Sequence, residues 1–184
     1  MKYTFKQLKT FILPMQSEQE VEFMWNLLKE LKPKKILEIG TGCGAFTTML
    51  SLSGAKVVTV DNRANDPTGW QLLINDKKIK SNEIDITFHH ADSQLESTRD
   101  LVKDKYDLVV IDAEHELKLG AKKDWDLYSP MADVVAIHDI CGYNIDWRFN
   151  PDWFPHVFWK EAKKLYKTSE ISDVPAGGWG VIFK

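Results

Sequence analysis

The sequence predicts an α/β fold in one domain over residues 1–184, a mostly parallel sheet with helices on both faces. Three observations predict it. Short apolar runs recur at 35–39, 56–60, 84–89, 106–111 and 133–137, each separated by a segment long enough for a crossover helix. Runs this apolar fit strands covered on both faces. The first run ends in Gly40-Thr41-Gly42-Cys43-Gly44 and opens into a helical pattern. The chain finishes with "TSEISD", a turn at "VPAGG" and "WGVIFK", an antiparallel hairpin that closes the parallel sheet.

Each element follows from local chemistry. Ser17 and Glu20 form a capping-box pattern, and Val21, Met24, Trp25, Leu28 and Leu31 follow at helical spacing until Pro33 stops the helix. Residues 1–33 are therefore an N-terminal helical segment preceding the first strand. Asp66-Pro67 is a cap and first-turn pair that opens a helix, and "LGAKKDWDLY" supplies another. His89 and His90 are adjacent on a strand, point to opposite faces and read as structural. A last helix is "PHVFWKEAKKLY".

Composition restricts the function classes. A chain of 184 residues with 43% hydrophobic content buries one full-sized core. A formal charge of -3 argues against general nucleic-acid binding, and the lysines at 118, 122, 123, 160, 163, 164 and 167 read as solvated helix faces. Cys43 and Cys141 make neither a disulfide framework nor metal-knuckle spacing. No run approaches the ~20 apolar residues that span a bilayer. The expectation is a cytoplasmic protein with no membrane partner. Oligomeric state is not legible.

The glycine turn brings backbone close to a ligand, because glycine lacks the Cβ that would block approach. Gly40, Gly42 and Ala45 also satisfy the dinucleotide fingerprint G-x-G-x-x-G/A, so a nicotinamide-dependent oxidoreductase is one alternative. Glu38, two residues before Gly40, suits a cationic ligand better than a pyrophosphate. Gly44 is not demanded by the dinucleotide pattern, and the closing hairpin is foreign to its sheet.

"LEIGTGCG" (37–44) resembles motif I, E/D-x-G-x-G-x-G, of the class I S-adenosylmethionine-dependent methyltransferases. The resemblance runs from the helix before this motif to the final hairpin. It implies a Rossmann-like three-layer sandwich with a seven-stranded sheet in the order 3-2-1-4-5-7-6, strand 7 antiparallel. It implies that S-adenosylmethionine is the cofactor, with Glu38, Gly40, Thr41, Gly42 and Gly44 around its methionine part. Asp61, twenty-three residues after Glu38, falls where the family's acidic residue binds the ribose hydroxyls. Asp92 matches the acidic residue that accepts from the adenine amino group, with Ser93 beside it.

The stretch 106–140 is similar to small bacterial O-methyltransferases of the cephalosporin-hydroxylase-like group. Asp112 and His115 fall on that group's I-D-G-D-H-S-like segment, and His138 and Asp139 on its H-D pair. Ala113-Glu114 and Met131-Ala132-Asp133 depart from its usual glycine-aspartate and proline-glycine-glycine. Asp112 joins the cofactor-binding set, and His138, Asp139 and His115 are the candidate catalytic residues. His138 is the first choice of base, since an imidazole titrates near ~6.5 and could take a proton from a hydroxyl. Asp112 and Asp139 are the carboxylates that would hold Mg²⁺ if the chain is metal-dependent; Mg²⁺ stays an open alternative that is not favoured, because Ile140 stands where related metal-dependent enzymes carry a second polar ligand. Residues 140–155 read as a substrate-side insertion, with Tyr143, Trp147, Phe149 and Trp153 as walls for a small-molecule acceptor. The expected activity is methyl transfer to a hydroxyl. The other alternative is a non-catalytic S-adenosylmethionine-binding domain that kept the fold.

Overall fold

A computed structural model describes residues 2–10, 16–62, 69–113, 120–142, 154–172, 174 and 177–184. Seven strands form one sheet: β1 (Lys35–Ile39), β2 (Lys56–Asp61), β3 (Asp85–His90), β4 (Leu108–Ile111), β5 (Val134–His138), β6 (Lys167–Ile171) and β7 (Trp179–Phe183). Their order is β3-β2-β1-β4-β5-β7-β6. Neighbours pair in parallel from β3 to β5, whereas β7 lies antiparallel between β5 and β6. The expected topology is the observed one.

The helices are α1 (Phe5–Leu8), α2 (Glu18–Leu31), α3 (Ala45–Leu52), α4 (Gly69–Asn75), α5 (Glu96–Leu101), α6 (Gly120–Tyr128) and α7 (Phe154–Leu165). Strand alternation distributes the core into two layers. Ile36, Leu108, Val110, Ala136 and Val181 pack with Met24, Trp25 and Leu28 of α2 and Met49 and Leu50 of α3. Leu37, Ile39, Val109, Ile111, Val135 and Ile137 pack on the other face with Tyr128 of α6 and Trp159 and Ala162 of α7. The inner strands β1, β2, β4, β5 and β7 are buried on both faces, which is why they read as continuous apolar runs, whereas the edge strands β3 and β6 are only partly covered.

The boundaries differ from the sequence reading in instructive places. The fourth run was expected from Tyr106, yet the ladder begins at Leu108. Asp107 instead turns its carboxylate onto the Lys34 and Lys35 amides, at 2.6 and 2.9 Å, and Tyr106 donates its hydroxyl to the Val102 carbonyl. These side-chain bonds add to the backbone ones, since the Asp107 amide donates to the Lys35 carbonyl at 2.9 Å and the Tyr106 amide to the Met131 carbonyl at 3.0 Å. The short helices α1 and α5 were not placed individually, because one or two turns carry too little periodicity to register. The Asp66-Pro67 helix start lies outside the described residues, and α4 is described from Gly69. Among the described residues, no helix is long and apolar enough to cross a membrane.

Candidate active site

The parallel strands β1 to β5 bring their carboxyl ends to one edge, where open α/β sheets place ligands. Gly40 follows β1 with φ +96°, and a Cβ there would stand 2.0 Å from the Asp112 carbonyl oxygen. Only glycine lets the β1 turn lie against the end of β4. The turn is then held from the other side. Asp61, at the end of β2, accepts the Thr41 and Gly42 amides on Oδ2, each at 2.9 Å. The Gly44 amide donates to the Thr41 carbonyl, and Gly44 (φ 81°) caps α3.

These bonds bear on ligand type. A turn that binds a pyrophosphate offers its amides to the anion. Here two of those amides are already given to a carboxylate, so the turn presents negative rather than positive potential. That arrangement fits a cationic ligand. Glu38 lies below the turn: it is 1% exposed and accepts the Thr47 and Thr59 hydroxyls, each at 2.6 Å. The Thr41 and Thr59 hydroxyls lie 2.6 Å apart; since Thr59 donates to Glu38, Thr41 donates to Thr59. Burial is the largest influence on Glu38 and raises its pKa to about 8. The glutamate expected to face the ligand thus lies beneath the turn, one residue inside the strand, and braces it.

Asp92 and Ser93 follow β3. Asp92 is exposed and accepts the Gln94 amide at 2.9 Å, while the Ser93 carbonyl accepts the Tyr128 hydroxyl at 2.5 Å. Beneath this loop lies Asp124 of α6, wholly buried, with no hydrogen-bond partner for either carboxylate oxygen among the described residues. Burial pushes its pKa up to about 6, with Ser93 beside it favouring the charged form and Asp92 opposing it. Its position is legible in hindsight: Ala121, Asp124 and Tyr128 share the buried stripe of α6.

At the ends of β4 and β5 the structure brings together Asp112, His138 and Asp139. His138 Nδ1 lies 3.0 Å from Asp112 Oδ1 and 3.2 Å from Asp139 Oδ1. Its Nε2 lies 2.9 Å from Oε1 of Glu20, a residue of α2 that is fully buried. A ring nitrogen presenting a lone pair to a carboxylate would be repelled, so this setting favours a ring with hydrogen on both nitrogens. Burial works against its charge, but Asp112, Glu20 and Asp139 outweigh it and hold the pKa well above the usual histidine value. A ring with hydrogen on both nitrogens, spending both N–H groups on carboxylates, has no lone pair with which to act as a base, and this bears on the expectation for His138. Asp139 is better placed for proton uptake, being 24% exposed, with burial raising its pKa to about 6.

The ring also occupies the place between Asp112 and Asp139 that a shared cation would need. With the ring there, the residues as arranged do not fit Mg²⁺, and among the described residues no group of three His, Cys, Asp or Glu side chains is disposed to hold a metal ion. A protonated His138 ring supplies a positive charge that lets the two carboxylates lie together. His115, Tyr143, Trp147, Phe149 and Trp153 lie outside the described residues. His89 is half-buried, and His90 is exposed, with Nε2 3.3 Å from the Asn62 carbonyl. Both stand on β3, away from the cluster at β4 and β5.

No protein-family model matches the sequence, and no curated protein matches it. Solved structures do. A putative caffeoyl-CoA O-methyltransferase from Staphylococcus aureus superposes over 100% of this chain and 93% of its own, with a TM-score of 0.69 and 17% identity. A putative O-methyltransferase from Klebsiella pneumoniae matches 97% of this chain and 86% of its own, with a TM-score of 0.67 and 13% identity. An O-methyltransferase from Bacillus cereus in complex with SAH covers 100% and 93%, with a TM-score of 0.65 and 16% identity. At such identities the likeness is one of fold.

Proposed function

From a chain with the class I methyltransferase fold, we propose an S-adenosylmethionine-dependent methyltransferase acting on a hydroxyl of a small-molecule acceptor. The observation that carries this reading is the Asp61 carboxylate on the Thr41 and Gly42 amides. It replaces a pyrophosphate site by an anionic one, and a sulfonium cofactor is the nucleoside-bearing cation that such a site suits. The position of β7 supports the same choice over a nicotinamide enzyme, whose doubly wound sheet has the order 3-2-1-4-5-6.

The cofactor supplies an electrophilic methyl group on a sulfonium. The chain's part is to bind, orient and take a proton. Gly40, Thr41, Gly42 and Gly44 contact the methionine portion, braced by Glu38. Asp61 accepts from the ribose hydroxyls, and Asp92 and Ser93 meet the adenine. Asp112 faces the cofactor from the end of β4. Asp139 receives the acceptor proton, with His138 as its counter-cation. His115 and the aromatic residues Tyr143, Trp147, Phe149 and Trp153 are assigned to the acceptor side. A single domain over 1–184 with 140–155 as its substrate-side insertion, and a cytoplasmic setting, belong to the same proposal.

Separate calorimetric titrations with S-adenosylmethionine and NAD test the cofactor. Binding of the first and not the second is expected, and the reverse overturns the reading. Methyl turnover against a panel of hydroxyl-bearing metabolites tests the reaction. Binding without turnover on any hydroxyl, alongside transfer to amines, would move the acceptor class.

A further inference from the structure

Glu20 is legible in the sequence only as half of a capping box. Its Oε2 performs that task, accepting the Ser17 amide at 2.8 Å and the Ser17 hydroxyl at 2.6 Å. A capping carboxylate ordinarily sits at the surface, where water satisfies its second oxygen. Glu20 is fully buried, and its Oε1 reaches across the molecule to His138 Nε2 at 2.9 Å and the Gly178 amide at 2.8 Å. A buried charge is retained only when paired and hydrogen-bonded, and this one is paired with the ring that stands between Asp112 and Asp139.

We propose that Glu20 is a positioning residue of the methyl-transfer site: it holds the His138 ring with both N–H groups directed at carboxylates, and through that ring fixes Asp112 and Asp139. The proposal rests on the methyltransferase reading for what the fixed carboxylates do, but not for the fixing itself. The surroundings of His138 leave the ring little alternative. Glu20 faces it from α2, Asp112 from the end of β4 and Asp139 from its own strand end. From the β6–β7 connection, Gly177 lies so close that a Cβ would stand 2.6 Å from the ring and 2.7 Å from Asp139 Oδ1. Trp179 of β7 packs its ring 4.6 Å from the imidazole, centroid to centroid. Asp139 itself has φ +64°, a left-handed conformation that a non-glycine residue adopts when its surroundings over-determine it. The N-terminal helical segment is thereby part of the site, and Gln16 extends the link by donating to Asp112 Oδ2 at 2.6 Å.

The test uses Glu20→Gln, with Ser17→Ala as a control that removes a capping partner and leaves Oε1 in place. Ring ¹⁵N shifts of His138 report its protonation in the free protein, at about pH 8, where an unperturbed histidine is neutral. The wild type and Ser17→Ala are expected to show both nitrogens protonated, and Glu20→Gln a neutral ring. Turnover in Glu20→Gln should fall roughly 10-fold or more while S-adenosylhomocysteine affinity changes less than about 2-fold, the pattern of a group that matters for the chemical step. A neutral wild-type ring, or a charged ring in Glu20→Gln, overturns the proposal whether or not an acceptor is found. A neutral ring in Glu20→Gln with wild-type turnover reduces Glu20 to a structural link and overturns it too. Absence of turnover in the wild type would count against the methyltransferase reading alone, since the ring signature does not depend on it.

Discussion

Oδ2 of Asp61 lies 2.9 Å from the amide nitrogen of Gly42, so the end of β2 grips the turn that ends β1. The same oxygen takes the Thr41 amide, and the carboxylate is therefore both a ribose candidate and a brace. Asp61→Ala is expected to weaken S-adenosylhomocysteine binding by about 1.5–3 kcal/mol, the range for hydrogen bonds to a charged group. Asp61→Asn, whose amide oxygen still accepts from the turn, should lose less. Calorimetry on folded variants decides it, and unchanged affinity in the alanine variant removes the assignment.

His138 should make stability depend on pH with a definite sign. Its folded pKa lies above the ordinary ~6.5, so its contribution is complete below that value and fades as pH rises through the folded one. His138→Ala removes the cation from three carboxylates and should cost about 3–5 kcal/mol near pH 6.5. The gap to wild type should narrow toward about pH 10 in urea denaturation. A gap that widens with alkalinity would contradict the charged ring.

Asp124 behaves in the opposite sense. Burial raises its pKa from 3.8 to about 6, so the folded state prefers the protonated acid. Stability from this group is highest below its ordinary value and is lost as pH climbs through about 6. Asp124→Asn should therefore gain about 1–3 kcal/mol near pH 7.5 and almost nothing near pH 4. Thermal melts at the two pH values check this, and equal effects at both would show that the carboxyl is not paying a desolvation penalty.

Metal removal gives a further expectation. With the His138 ring between Asp112 and Asp139, methyl turnover should survive EDTA. Loss of activity that Mg²⁺ restores would mean that the ring leaves this position in the working enzyme.

Gly40 should tolerate no side chain. A Cβ there meets the Asp112 carbonyl at 2.0 Å, and the contact is backbone on backbone, with no flexible group to yield. Gly40→Ala is expected to destabilise by several kcal/mol, beyond the ~0.5–1 kcal/mol by which glycine ordinarily differs from alanine. A melt within a degree or two of wild type would show that the turn has room to move.

By itself the sequence determined the sheet. Apolar runs buried on both faces force parallel strands between helices, and the glycine turn and final hairpin mark where it begins and how it closes. It also determined which residues reach the carboxyl edge, because a strand end is a matter of chain position: Asp61, Asp112, His138 and Asp139 were all legible there. Tertiary structure decided what those residues face. Glu38 reads as a carboxylate at a strand tip, and the Thr47 and Thr59 hydroxyls enclose it; His138 reads as a lone histidine, and Glu20 meets it from a helix 118 residues away. A protonation state is set by the charges and solvent around a group, and those come from segments whose approach no local pattern encodes. Glu20 and Asp124 were missed for that reason: cap and helix periodicity name a residue's neighbours along the chain, whereas burial of a carboxylate is settled by what packs across from it.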